Sequence, residues 1–337
     1  MSRKLDKNKE IGSPIVSVIM SAYNSEEYIG EAICSILNQT FSKFEFIIIN
    51  DGSTDGTADV IKNYIGDKRV IFIDKENTGI IDSSNLGLSI AKGCFIARMD
   101  SDDISHPTRL EKQVQYLQDN PDITAVSSAV KHIGDCSHFS FPATSPSQLA
   151  FIPELVNPAI MFRSRDIEKY EIKYRKEHLY AEDCGFLYAL VSRSLKLSNL
   201  SEPLLLYRVH KKSVTRKYSD IQHSSHKIIL KEYVADINTS DDVNIYFKSD
   251  YFSIDDFPAK MLTLISAFRK KHKVHVIAGY FLKPMIHALY SSYATLSAKE
   301  RMLLLYLIIR GVCNRIADKT RGKILTLKYR NFWSRNE

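Results

Sequence analysis

Residues 44–50 read Phe-Glu-Phe-Ile-Ile-Ile-Asn, apolar at almost every position. A strand with one face in water alternates apolar and polar residues. A run apolar on both faces needs helices above and below it. That requirement directs the chain toward a layered α/β architecture with a mostly parallel sheet. The neighbouring segments agree. Val16-Ser17-Val18-Ile19-Met20 is a β-branched strand, and Ile29, Ala32, Ile33, Ile36 and Leu37 fall on one helical face. Ser25 is the expected N-cap of that helix, with Glu26 and Glu27 in its first turn, where the dipole favours acid. A third strand is expected at Val70–Ile73 and a helix at residues 79–92, closed by Gly93. Phe95–Met99 is the fourth strand. A helix follows near Pro107 with Leu110, Val114 and Leu117 inward, then a strand at Ile123–Ile133. The segment 14–133 therefore predicts strand–helix–strand–helix–strand–helix–strand, an acidic loop, a helix and a strand, a three-layer fold.

The acidic loop is Asp100-Ser101-Asp102-Asp103, directly after the buried fourth strand. Carboxylates so close repel one another unless a cation or several donors neutralise them. The stretch alone admits a hard divalent metal or a solvated acidic turn. The second strand runs into Asp51-Gly52-Ser53-Thr54-Asp55-Gly56, which starts like an EF-hand calcium loop. Its twelfth position is Lys62, where a bidentate Glu is required, so that reading fails. What remains is a polar strand-to-helix loop able to hold a nucleotide at the strand ends, or a structural turn capped by Thr54 or Asp55. No Gly-x-Gly-x-x-Gly follows the first strand and no P-loop is present, which counts strongly against a dinucleotide-dependent oxidoreductase or a P-loop enzyme.

Beyond residue 134 lies a Ser/Pro-rich connection to about 150. A strand-like run follows at Val156–Arg163, then a helix opened by Tyr180-Ala181-Glu182-Asp183 and a strand at Leu204–His210. Five scattered cysteines with no Cys-x-x-Cys pair argue against a zinc site and a disulfide framework, and for a reducing compartment. The short apolar run after the basic start is expected to be the first strand rather than a signal peptide.

In order along the chain, these pieces resemble the inverting family 2 glycosyltransferases of the GT-A fold. The matching stretches are Val16–Asn24, Ile49–Asp55, Asn77-x-Gly79 with Asn85-x-Gly87, and Ala97–Asp103. They continue with Asn157–Arg163, Glu182-Asp183 and Tyr207-Arg208-Val209-His210. The resemblance covers roughly residues 14–215 and implies a GT-A catalytic domain at 14–220, followed by a helical basic region at 221–337. It implies transfer from a nucleotide-sugar, UDP-linked, to a hydroxyl of a glycan or lipid-linked acceptor in cell-surface polysaccharide biosynthesis, such as capsule or lipopolysaccharide. By the same resemblance Asp51, with Ala22 and Tyr23, contacts the nucleotide base. Asp100 faces the ribose, and Asp102 holds Mn²⁺ or Mg²⁺. Asp183 is the catalytic base, with Glu182 and Asp103 in support. His210 either completes the metal site, contacts the diphosphate or bonds backbone. Arg163 either neutralises phosphate or pairs with a carboxylate in the fold. Asn157 stands where relatives often have His, and the Asp82–Asn85 segment lacks a basic residue often seen nearby.

The net charge of +7 is uneven. Residues 257–337 hold 16 Lys and Arg against 3 Asp and Glu, so that segment carries +13 and residues 1–256 carry −6. Its apolar runs are shorter than the roughly 20 residues of a membrane span. They read as basic amphipathic helices for an anionic membrane surface, or as a helical cap with a solvated basic face. Nucleic acid is not expected, because no recognisable module accompanies the charge. A cytoplasmic protein, peripheral at the inner membrane face, is the corresponding expectation. The rival functions are a non-catalytic binding or regulatory protein of the same fold and a sugar nucleotidyltransferase.

Overall fold

The computed structural model describes residues 13–142, 144, 149, 155–210, scattered positions between 221 and 232, 320–330 and 332–333. The elements begin β1 (Val16–Ala22), α1 (Ile29–Leu37), β2 (Phe44–Asp51), α2 (Thr57–Lys62), β3 (Val70–Lys75), α3 (Ile80–Ile90) and β4 (Phe95–Asp100). They continue β5 (Ile104–Ser105), α4 (Arg109–Asp119), β6 (Ile123–Gly134), β7 (Phe139–Ser140), β8 (Met161–Arg163), α5 (Ser164–Lys169), α6 (Glu182–Ser192) and β9 (Lys196–Val209). The strands form one sheet in the order β3-β2-β1-β4-β8-β6-β9-β5, with β7 paired to β6. β1, β2, β3 and β4 are mutually parallel, as are β6 and β9. β8 enters antiparallel between β4 and β6.

Side-chain alternation across this sheet builds a core on each face. Val16, Val18, Met20, Phe46, Ile48, Ala97 and Met99 pack with Ile29, Ile33 and Ile36 of α1 and Leu110 and Leu117 of α4. Ile19, Ile47, Ile49 and Ile96 point the other way, toward Ile81 of α3 and Phe186, Leu187 and Leu190 of α6. The three-layer α/β/α expectation holds, and the apolar run of β2 is buried at every position because both faces are covered.

Local expectations needed correction where side chains were recruited by distant loops. Ser25 does not cap α1, which starts four residues later. Its N–H goes to Thr57 Oγ1 at 2.7 Å and its hydroxyl lies 2.8 Å from Ser101 Oγ. Gly93 does not close α3, since Ala91 already leaves the helix with extended backbone. Gly93 is instead a close-approach position, where an added Cβ would lie 2.4 Å from the Ser17 nitrogen. The connection after residue 134 holds a short hairpin strand, β7, pairing Val130 with Ser140. β9 is 14 residues long, and most of its length lies along β6.

Most of the C-terminal third lies outside the described residues. Residues 320–329 are helical, as expected. They and the residues after them dock on the sheet edge: Phe332 stacks on His106 at 4.5 Å, and Trp333 Nε1 donates to the Pro203 carbonyl at 3.0 Å. Among the described residues no helix is long and apolar enough to cross a membrane.

Candidate active site

The C-terminal ends of β1, β2 and β4 lie level with one another: Ser21 pairs with Asp100, and Ala22 with Asn50. Crevices at this edge of an open α/β sheet are where ligands bind. Ala22 is buried and Tyr23 exposed on one wall. Asp51 is buried on another, its carboxylate accepting the N–H groups of Thr78 at 3.0 Å and Gly79 at 2.9 Å, and bonding Lys75 Nζ. Gly79 takes φ +93, a conformation that suits a residue without Cβ and aims its N–H at Asp51. Burial pushes the Asp51 carboxyl up, but the hydrogen bonds of Lys75 and Thr78 outweigh it and hold the group below the usual range.

The acidic turn is anchored from two sides. Arg208 donates its backbone N–H to Asp103 Oδ1 at 2.8 Å and its Nε to the Asp102 carbonyl at 2.7 Å, while its Nη2 reaches Glu31 at 2.5 Å. Beneath the turn, fully buried Arg109 donates to the carbonyls of Arg98 at 3.0 Å and Pro158 at 2.6 Å. Asp103 is buried and its Oδ2 has no hydrogen-bond partner. Burial lifts the Asp100 carboxyl to about 6, with Asp102 and Asp183 adding to the shift and Arg98 and Arg109 opposing it. Asp103 is also held well above the usual carboxylate range, by burial and then by its two acidic neighbours. His210 Nε2 lies 2.9 Å from Asp102 Oδ2, so the structure brings the end of β9 to the acidic turn.

Glu182 and Asp183 begin α6, near enough to Asp100 for their charges to act together, and Asp183 Oδ1 accepts the Cys184 N–H at 2.7 Å. Burial, then the charges of Asp183 and Asp100, raises the Glu182 carboxyl to about 7. Two devices set the approach to this helix. Asn85 of α3 bonds both the N–H and the carbonyl of Tyr174, each at 2.9 Å. Tyr180 adopts φ +63, sparsely populated for a bulky residue, with its carbonyl held by Gln222 at 2.9 Å.

Arg163 is not in the crevice. It pairs with Phe95, at the opposite end of β4 from Asp100. Its guanidinium donates to the carbonyls of Ile123 at 2.8 Å, Asn120 at 3.2 Å and Leu117. Those partners are backbone carbonyls of the fold, so among the described contacts the guanidinium serves neither a phosphate nor a carboxylate, the two alternatives the sequence left open. Sequence reasoning missed Arg109, Lys75 and the clamp role of Arg208, whose partners are backbone atoms or distant carboxylates. It quoted Arg208 and Asn85 only as motif positions.

A sequence profile described as "Glycosyl transferase family 2" matches residues 17–189, half of the chain. The chain belongs to glycosyltransferase family 2. An uncharacterized glycosyltransferase of Haemophilus influenzae is 36% identical over 238 residues, covering 66% of this chain and 73% of that relative. The O-antigen biosynthesis glycosyltransferase WbnJ of Escherichia coli is 33% identical, over 65% of this chain and 89% of its own length. Among solved structures, TarS of S. aureus in complex with UDP superposes with a TM-score of 0.56 at 20% identity, covering 94% of this chain and 91% of that one. A mannosyltransferase of Pyrobaculum calidifontis, in complex with GDP-Man and Mn²⁺, gives 0.53 at 17% identity, over 96% and 88%. These neighbours share the GT-A fold, and the family makes this chain a glycosyltransferase.

Proposed function

We propose that this glycosyltransferase moves a sugar from a UDP-linked donor, with inversion, to a hydroxyl of a growing glycan or lipid-linked acceptor in surface polysaccharide synthesis. The observation that carries this reading is the convergence of Asp100 and Asp102 with the Glu182-Asp183 pair on one crevice from distant parts of the chain. Asp183 and Asp100 lie close enough for their charges to raise one carboxyl through the other. The E. coli relative named for O-antigen biosynthesis supports the polymer class. The fold neighbours with UDP-GlcNAc and with GDP-Man fit a nucleotide-sugar donor.

In this reading Asp51, fixed by Thr78 and Gly79, meets the base beside Ala22 and Tyr23, and Asp100 meets the ribose. Asp183 takes the acceptor hydroxyl's proton as that oxygen attacks the anomeric carbon. Glu182 keeps the surroundings of Asp183 acidic and poorly hydrated.

The residues present fit Mg²⁺ or Mn²⁺. The oxygens of Asp100 and Asp102 are hard ligands, and Asp103 keeps a buried oxygen without a partner. Such ions commonly take one or two carboxylates and complete their shell with substrate phosphates. This suits an acidic turn that does not gather three protein ligand atoms within 4.8 Å. When bound, the cation stabilises charge developing on the diphosphate as a Lewis acid. The catalytic part is residues 14–220. The basic remainder, 221–337, would bring it to an anionic membrane surface on the cytoplasmic side.

The test is a screen of nucleotide sugars for transfer and hydrolysis, with and without Mn²⁺ or Mg²⁺. UDP release dependent on the cation supports the reading. Pyrophosphate release would indicate a nucleotidyltransferase, and no cation-dependent UDP binding by calorimetry would indicate a non-catalytic protein.

A further inference from the structure

Outside the crevice, the hairpin between β6 and β7 gathers a set of side chains that the glycosyl transfer does not use. His132 lies at the end of β6, Cys136 in the turn and His138 just before β7. One ligand atom from each lies within 4.8 Å of the other two. Among the described residues no other group of three or more His, Cys, Asp or Glu meets that spacing. The pairing of β6 with β7 creates the set, since the His132 N–H donates to the His138 carbonyl at 2.7 Å and sets the two residues opposite each other. Their rings stack at 4.1 Å with planes 9° apart.

The chemistry of the three side chains is directed. His132 Nε2 lies 2.8 Å from Ser140 Oγ, which leaves Nδ1 as the nitrogen for another partner. That Nδ1 is buried and has no hydrogen-bond partner. Cys136 is in no disulfide. A thiolate with two imidazoles is a borderline-soft donor set that suits Zn²⁺ and not Mg²⁺ or Ca²⁺. Bond lengths of about 2.0–2.1 Å to nitrogen and about 2.3 Å to sulfur put tetrahedral ligand atoms roughly 3.3–3.8 Å apart. Rotation of exposed His138 and of the Cys136 side chain covers the remaining ångström or so. The absence of Cys-x-x-Cys argued against zinc on spacing alone, but two of the three ligands here are histidines.

We infer that His132, Cys136 and His138 form a transition-metal site for Zn²⁺, with water as the fourth ligand, separate from the sugar-transfer crevice. Three protein ligands leave one coordination position open to water, and the site sits on the hairpin that packs against β9. His132 pairs with Tyr207 in register and its ring meets the Tyr207 ring edge-on at 5.3 Å. The Asp135 N–H, one residue before Cys136, donates to the Val209 carbonyl at 2.9 Å. The ion therefore ties the two arms of the hairpin together, and this hairpin packs on the end of β9, the segment that delivers Arg208 and His210 to the acidic turn. Binding releases the Cys136 thiol proton to solvent.

The experiment uses the full chain, stripped with chelator and titrated with Co²⁺, which reports a thiolate ligand by a charge-transfer absorption band. One equivalent should give the band in the wild type and in Asp102→Asn. Cys136→Ser should abolish it, and His138→Gln should weaken Co²⁺ binding at least tenfold. Zn²⁺ should displace the cobalt. It should also raise the thermal midpoint of the wild type more than that of His138→Gln, whose exposed position lets the variant fold. No band, a band of full strength in Cys136→Ser, or equal Zn²⁺ shifts in wild type and His138→Gln would overturn the site.

Discussion

His210 Nε2 and Asp102 Oδ2 are 2.9 Å apart, so the last residue of the β9 segment orients a carboxylate of the acidic turn. A partner of this kind fixes the direction in which a carboxylate presents its other oxygen. His210→Ala is expected to lower transfer by about 10–100-fold, the range for loss of a group that orients a ligand. The loss should show as a higher Mn²⁺ or Mg²⁺ requirement with the fold intact by circular dichroism. An unchanged cation requirement would remove His210 from this role.

Asp183→Asn keeps the size of the side chain and removes its basicity. Transfer should fall by about 10²–10⁴-fold, the usual contribution of a general base. UDP affinity measured by calorimetry should stay within a few-fold, because the proposed reading gives the donor to Asp51 and Asp100. Near-wild-type turnover would sink the assignment of the base.

Glu182 links activity to stability. Its carboxyl is raised to about 7, first by burial and then by Asp183 and Asp100. A raised carboxylate disfavours the folded state once it ionises. The penalty is absent below the unfolded value of about 4.3, grows through the folded value and is complete above it. Glu182→Gln should therefore stabilise the protein by about 1–2 kcal/mol near pH 8 and by little near pH 5. Urea unfolding at the two pH values, in chelator, checks this. An equal difference at both would show that the charge is not the cause.

Arg163→Met separates a structural arginine from a phosphate ligand. The variant leaves three carbonyls without their guanidinium donor. Stability should fall by about 1–3 kcal/mol, the cost of leaving buried polar groups unsatisfied. The KM for donor should not move. A large KM increase in a stably folded variant would return Arg163 to the site.

Asn85→Ala removes both bonds to the Tyr174 backbone and frees the approach to α6. About 1–3 kcal/mol of stability should be lost. The turnover number should fall more than donor affinity does, because the helix that carries Asp183 is displaced and the nucleotide walls are not. Equal effects on both would assign Asn85 to donor binding.

The strand and helix pattern of residues 14–133 was legible because each element buries a face, and burial writes its period into the sequence. The acidic turn was legible for the same reason, since a buried strand ending in carboxylates stands out locally. Ser25 and Gly93 were misread because their work is long-range: one ties three loops together and the other admits a neighbouring strand.

By itself the sequence determined the layered α/β fold, the family and the residue types gathered at the strand ends. Those follow from hydrophobic periodicity and from short motifs in a fixed order. Only the tertiary structure decided that His210 turns to Asp102, that Arg163 serves backbone carbonyls far from the crevice, and that two histidines and a cysteine meet across a hairpin. The physical reason is the same in each case. A side chain's partner is chosen by which elements pack together, and distance along the chain carries no record of that choice.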